Sequence, residues 1–142
     1  MKGKISRFLT EQKVASVCCI DEHQHPYCFN CYYAADTTEG LLLFKSASSS
    51  CHMQYLAERP FVAGTVLPEK QIMMMSTGFQ FKGELAKATH KHKKAYYEKF
   101  PAALAVPGEV HCIRLSWVKM TERTPLSSNK TVWQPQASSL QQ

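Results

Sequence analysis

The sequence predicts a mainly β fold with flanking helices, a six-stranded antiparallel barrel, from three observations. Six segments carry strand-like patterns, and their links are too short for β-α-β crossovers. One helical stretch separates strands three and four and another precedes the last strand, which suits a decorated barrel rather than a doubly wound sheet. The chain has 142 residues, 44% of them hydrophobic and 20% charged, with no break in composition, so a single globular domain is expected.

Ile5, Phe8 and Leu9 recur at helical spacing and predict a short amphipathic helix over residues 4–12. Val14 to Ile20 is rich in small and β-branched residues and reads as the first strand. A polar turn, Asp21 to Pro26, leads to a second strand from Tyr27 to Ala35, making a hairpin. Asp36 to Gly40 is another turn, and Leu41 to Phe44 the third strand. Ser48, Ser49 and Ser50 offer hydroxyl caps to a helix carrying Met53, Leu56 and Ala57, which Pro60 stops. Phe61 to Leu67 is the fourth strand. Ile72 to Ala88 holds a longer β pattern, with Phe79, Phe81 and Leu85 on one parity and Gln80 and Lys82 on the other; the run Met73 to Met75 reads as buried strand. Thr89 caps a basic helix over residues 90–100, ended by Pro101. From Val110 to Met120 the alternation is strict, placing His111, Ile113, Leu115 and Trp117 on one face. Residues 1–133 therefore form the domain, and the Gln- and Ser-rich residues 134–142 are expected to be a disordered tail.

Seventeen Lys and Arg against eleven Asp and Glu give a net charge of +6. Residues 82–99 hold six Lys and two Glu, so the excess is concentrated there. A cluster of cations suits a phosphate backbone. No recognition-helix pair, aromatic RNA-binding signature or zinc finger accompanies it, so a solvated helix face is favoured over nucleic-acid binding. No run approaches the roughly 18 apolar residues needed to span a bilayer, and the start of the chain lacks the apolar stretch of a secretion signal. A cytoplasmic location and reduced thiols for the six cysteines are expected.

Cys28 and Cys31 have the spacing of a zinc or redox pair, but on an extended strand positions three apart face opposite sides, so they read as strand cysteines. Cys18 and Cys19 divide in the same way. His23 with His25, and His90 with His92, lack the further ligands of a metal site. The stretch Lys45 to Ser50 lies where a strand ends and a helix begins. Backbone N–H groups, hydroxyls and one ammonium there suit a phosphate. An ordinary serine cap accounts for the same residues.

The order of elements, with the strings FLTEQKV, LLLFKSASSS, ERPFVAGTV, GFQFKGE, KFPAALA and RLSWVKMTERT, resembles the flavin-mononucleotide-binding split-barrel family, the pyridoxamine 5'-phosphate oxidase-like proteins, and within it a small bacterial branch. The resemblance runs from about Ile5 to Trp133. It implies a homodimeric split barrel with FMN in the clefts between subunits and an oxidoreductase activity on a small molecule whose identity the motifs do not give. It implies that Cys31, Tyr32 and Tyr33 lie along the isoalloxazine. Phe44, Lys45, Ser46, Ser49, Ser50 and Cys51 would hold the ribityl phosphate, Gln80 would face the cofactor, and Trp133 would reach the partner's flavin. Ser50 and Cys51 stand where such proteins usually carry Arg or Lys, which weakens the phosphate grip. The alternative is a non-catalytic split-barrel module that binds or senses flavin, haem or another planar ligand.

Overall fold

The computed structural model describes residues 1–70 and 72–136. The last six positions of the expected disordered tail, residues 137–142, lie outside the described residues. The elements in chain order are α1 (Gly3–Glu11), β1 (Val14–Ile20), β2 (Pro26–Asp36), β3 (Leu41–Ser46), α2 (Cys51–Glu58), β4 (Phe61–Val66), β5 (Ser76–Ala86), α3 (His90–Lys99), a 3-10 turn at Pro101–Ala105, β6 (Glu109–Thr124) and β7 (Ser127–Trp133). The strands are hydrogen-bonded in the order β3-β2-β1-β4-β5-β6-β7, and β3 also pairs with β6. All pairings are antiparallel, so β1 to β6 close the barrel that the sequence predicts, and β7 extends it.

The barrel interior is filled by alternate residues of every closing strand, among them Ala15, Val17 and Cys19 of β1, Leu42 and Phe44 of β3, and Phe79 and Phe81 of β5. Helix α1 adds Ile5, Phe8 and Leu9 to this core, and α2 adds Met53 and Leu56, as the helical spacing predicts. The Phe8 and Phe79 rings stack at 5.5 Å between centroids. Strand β3 is buried on both faces, because Leu41 and Leu43 turn outward into a second apolar cluster with Ala34, Val110, Cys112 and Tyr96 of α3. That double burial explains why its residues form an unbroken apolar run rather than an alternation.

Three expectations are corrected. The first concerns Met73, Met74 and Met75, which precede β5 and are exposed. Strand β4 ends at Val66, and among the described residues nothing pairs with this stretch except one bridge between Ile72 and Met75. The second is the seventh strand. β6 runs on to Thr124 and turns back as β7, which is exposed at every position except the half-buried Trp133 and so carries no hydrophobic pattern to read. The third is the face of Trp117. Lys82 pairs with Trp117 and Gly83 with Leu115, so Ser116 is an extra residue in β6. The core takes Ile113 and Leu115 before this bulge but Val118 and Met120 after it, and Trp117 turns to the outer face.

Gly40 ends the β2–β3 turn with φ +73°, and a Cβ there would stand 2.8 Å from Cη2 of Trp133. Gly40→Ala is therefore expected to cost about 1–2 kcal/mol from the left-handed backbone alone and to tilt the Trp133 ring away. Urea unfolding followed by tryptophan fluorescence reads both effects. An unchanged midpoint and spectrum would count against this packing. No helix among the described residues is long and apolar enough to cross a membrane.

Candidate functional site

Two polar features stand out from the fold. One is a groove of about 410 Å³ on the outer face of β1, β4, β5 and β6, bordered by Cys28 of β2. Its walls carry Ser16, Cys18, Thr65, Gln80, Lys82 and Trp117. These positions alternate with core residues on their strands, so their exposure follows from the same parity that buries Val17 and Phe81. The Lys82 ammonium stands 5.2 Å from the Trp117 ring centroid, and Lys119 stands 5.9 Å from it. The groove therefore offers an aromatic face, two cations and the Gln80 amide. Gly64 forms part of its floor.

The second feature is the β3–α2 junction. Ser50 is the N-cap of α2, yet its hydroxyl makes no cap bond. It turns instead to Ser46, 3.3 Å away, and to Nε2 of His52 at 3.2 Å. Ser46 Oγ lies 2.6 Å from the same nitrogen. The His52 ring stacks on Phe29 with 3.9 Å between centroids. Burial, and then His111 nearby, holds His52 below its ordinary pKa, so the imidazole is neutral at neutral pH. His111 Nε2 donates to the Ser46 carbonyl at 3.0 Å.

The residues that the sequence nominated divide among five places. Lys45, Ser46, Ser49, Ser50 and Cys51 gather at the junction, with Ser49 and Cys51 exposed. The Lys45 ammonium is not free there, because it donates to the carbonyls of Ala103 and Val106 and lies 5.0 Å from the Tyr97 ring. Gln80 is in the outer groove. Tyr32 lies outside the barrel, edge-on to Phe100. Cys31, Tyr33 and Phe44 face inward. The Tyr33 and Phe44 side chains are completely enclosed, and Tyr33 donates its hydroxyl to the Leu9 carbonyl at 2.7 Å. Burial pushes the Cys31 thiol up to about 12. A ligand outside the barrel meets the backbone of these residues, not their side chains. Trp133 packs over Gly40, away from the rest. The residues not nominated are His52 at the junction and Ser16, Cys18, Cys28, Thr65, Lys82 and Trp117 at the groove; parity in β1 and β2 marks the cysteines, whereas Trp117 is visible only once the bulge is known.

The basic segment does not present one face. Lys91 pairs with Glu39 at 3.1 Å, and Lys99 turns inward to the carbonyls of Gln12 and Thr10. His92 is buried rather than solvated. Its Nδ1 accepts from the Thr89 N–H at 3.0 Å, and its Nε2, which then carries the hydrogen, donates to Glu39 at 3.1 Å. Asp36, Glu39 and His92 bring ligating atoms within 4.8 Å of one another, but these bonds already account for the grouping of Glu39 and His92 as a tie between α3 and the β2–β3 turn.

Solved structures with this architecture include a haem-binding protein from Mycobacterium smegmatis, with a TM-score of 0.72 and 12% identity over 92% of this chain and 59% of that one. A FAD-binding protein from Mesorhizobium loti matches with a TM-score of 0.71 and 15% identity over 87% and 96%. A Clostridium acetobutylicum protein related to general stress protein 26, of the pyridoxinephosphate oxidase family, matches with a TM-score of 0.62 and 10% identity over 90% and 91%. The fold is thus the split barrel of pyridoxamine 5'-phosphate oxidase-like proteins. No family model matches the sequence. The UPF0306 protein YhbP of Escherichia coli O127:H6 is 30% identical over 134 residues, covering 92% of this chain and 95% of that protein. With the fold of the split barrels and this likeness over nearly the whole of both chains, the protein belongs to the UPF0306 family.

Proposed function

We propose that the protein binds FMN between two copies of itself and serves as a flavin-dependent oxidoreductase for a small molecule. The carrying observation is the β3–α2 junction, where the Ser46 and Ser50 hydroxyls converge on His52 beside the uncapped start of α2. Hydroxyls and free helix N–H groups fit a phosphate by hydrogen bonding, without a fixed charge. The groove supplies the other half: Trp117, Gln80 and Thr65 offer a face and polar atoms to a planar ring. His52 stacks on Phe29, whose side chain is on the face of β2 opposite Cys28 and the groove. Junction and groove thus lie on opposite faces of one chain, and this separation supports a homodimer in which the groove of each copy meets the junction of the other. The bound flavin supplies the hydride chemistry, and the chain supplies its position. That other split barrels are named as FAD-binding or haem-binding supports a planar ligand of this class.

Titration of the purified protein with FMN is expected to shift and quench the flavin spectrum. Replacing Ser46 and Ser50 together by alanine is expected to weaken binding roughly 10- to 100-fold, the worth of hydrogen bonds to a charged group. An unchanged flavin spectrum at saturating protein would overturn the reading.

The shortage of free charge at the junction favours a second reading, a non-catalytic binding or sensing module for flavin, haem or another planar ligand. Lys45 is committed to two carbonyls, and Ser50 and Cys51 are uncharged. Tight binding without turnover of reduced nicotinamides supports that module, and steady reductase activity removes it.

A further inference from the structure

Cys18 and Cys28 lie directly opposite each other on β1 and β2. Two backbone bonds fix what kind of pair they form. At one end of the ladder the Tyr33 N–H donates to the Lys13 carbonyl, and at the other the Asp21 N–H donates to the His25 carbonyl, both at 2.9 Å. Antiparallel ladders alternate between hydrogen-bonded and non-hydrogen-bonded pairs. Both end bonds fall on odd residues in the register that joins Cys18 to Cys28, so Cys18 and Cys28 form a non-hydrogen-bonded pair. In such pairs the Cα atoms are about 4.5 Å apart and the side chains closest, within the separation a disulfide spans. The neighbouring pair on the same face shows the proximity: Ser16 Oγ donates to Asn30 Oδ1 at 2.7 Å.

Both cysteines carry free thiols and border the outer groove, and they differ in access. Cys28 is exposed and Cys18 half-buried. Burial, and then the neighbouring Cys28 thiol, hold the Cys18 thiol above its ordinary pKa. The remaining cysteines have other settings: Cys19 and Cys112 are buried, Cys31 faces the core, and Cys51 is exposed on α2.

We propose that Cys18 and Cys28 are a redox-active pair that exchanges with low-molecular-weight disulfides entering the groove. The Cys28 thiolate attacks one sulfur of the disulfide RSSR, forming a Cys28–SR mixed disulfide and expelling RS⁻, which takes up a proton. Cys18 then gives its proton to solvent and attacks Cys28 Sγ, forming the Cys18–Cys28 bond and expelling the second RS⁻. Two protein thiols are oxidised by two electrons, and RSSR is reduced to two RSH. Excess RSH drives the same steps backward. The bond would staple β1 to β2 along the groove wall, and so sets the shape offered to whatever occupies it. The pair stands on strand register, and the exchange takes place while no flavin fills the groove.

Glutathione disulfide is the probe, applied to the full chain at neutral pH, followed by acid quenching, alkylation and mass mapping. The expected product is a protein lighter by two hydrogens with a peptide linking Cys18 to Cys28, restored to the dithiol by excess reduced glutathione. Cys18→Ser is expected to halt at a glutathionyl adduct on Cys28, and Cys28→Ser to lose the linked product. Cys51 serves as the internal control for reagent access. Both thiols remaining alkylatable while Cys51 is modified would overturn the proposal. So would a mixed disulfide persisting on Cys28 in the unaltered chain, a link through another cysteine, or a bond that excess glutathione does not reopen.

Discussion

Phe44→Ala is expected to destabilise the protein by about 3–5 kcal/mol, the cost of emptying a large aromatic site in a close-packed core. The ring is completely enclosed, 6.1 Å from Phe29 and 5.4 Å from His111 between centroids. Phe29 is the platform on which His52 stacks, so the cavity would open directly beneath the serine junction. The urea midpoint at constant slope measures the effect. A variant that kept its midpoint but lost ligand affinity would mean that Phe44 faces a ligand, contrary to the enclosed position.

The second large effect is expected at Gly64. A Cβ built there would lie 2.3 Å from Cζ of Phe81 and 2.4 Å from the Ser16 carbonyl oxygen. One obstacle is a core ring and the other is backbone held in the β1–β4 ladder, where Val17 pairs with Gly64. Gly64→Val should therefore exceed the usual overpacking penalty, costing about 3 kcal/mol or more. Adding Phe81→Leu is expected to recover only part of the loss, because the smaller side chain clears the ring but leaves the Ser16 oxygen in place. Full recovery would show that the carbonyl is no barrier; a midpoint equal to that of the natural chain in the single variant would remove the close approach altogether.

The barrel was legible because its evidence is local. Parity in Val14–Ile20 and around Phe79 and Phe81, and the apolar spacing of Ile5, Phe8 and Leu9, each name an element and its buried face. What escaped depends on partners distant in sequence. Trp117 changes face because β6 must stay in step with β5 past an extra residue, and β7 has almost no buried face to betray it. The strand-to-helix turn at Lys45 to Ser50 was legible from its own residues, and the resemblance added the ribityl phosphate to it. The resemblance also named Tyr33 and Phe44, which the register places inside the barrel. Lys45 looks like an anion's partner, but its ammonium donates to the carbonyls of Ala103 in the 3-10 turn and of Val106 just after it, 58 and 61 residues away.

Strand β6 has a further consequence, for the order in which the molecule can be made. Its residues pair with β3 near its start, with β5 along most of its length and with β7 near its end. Until residue 109 has left the ribosome, β3 and β5 each present an open edge, and the barrel has no closing strand. Open edges are sites for pairing with other chains. Closure also joins β3 to β6 across more than sixty residues, a slow kind of contact to form. During synthesis the nascent chain is thus most exposed to aggregation just before β6 arrives, and a chain stopped short of it should be retained by chaperones rather than accumulate as folded protein.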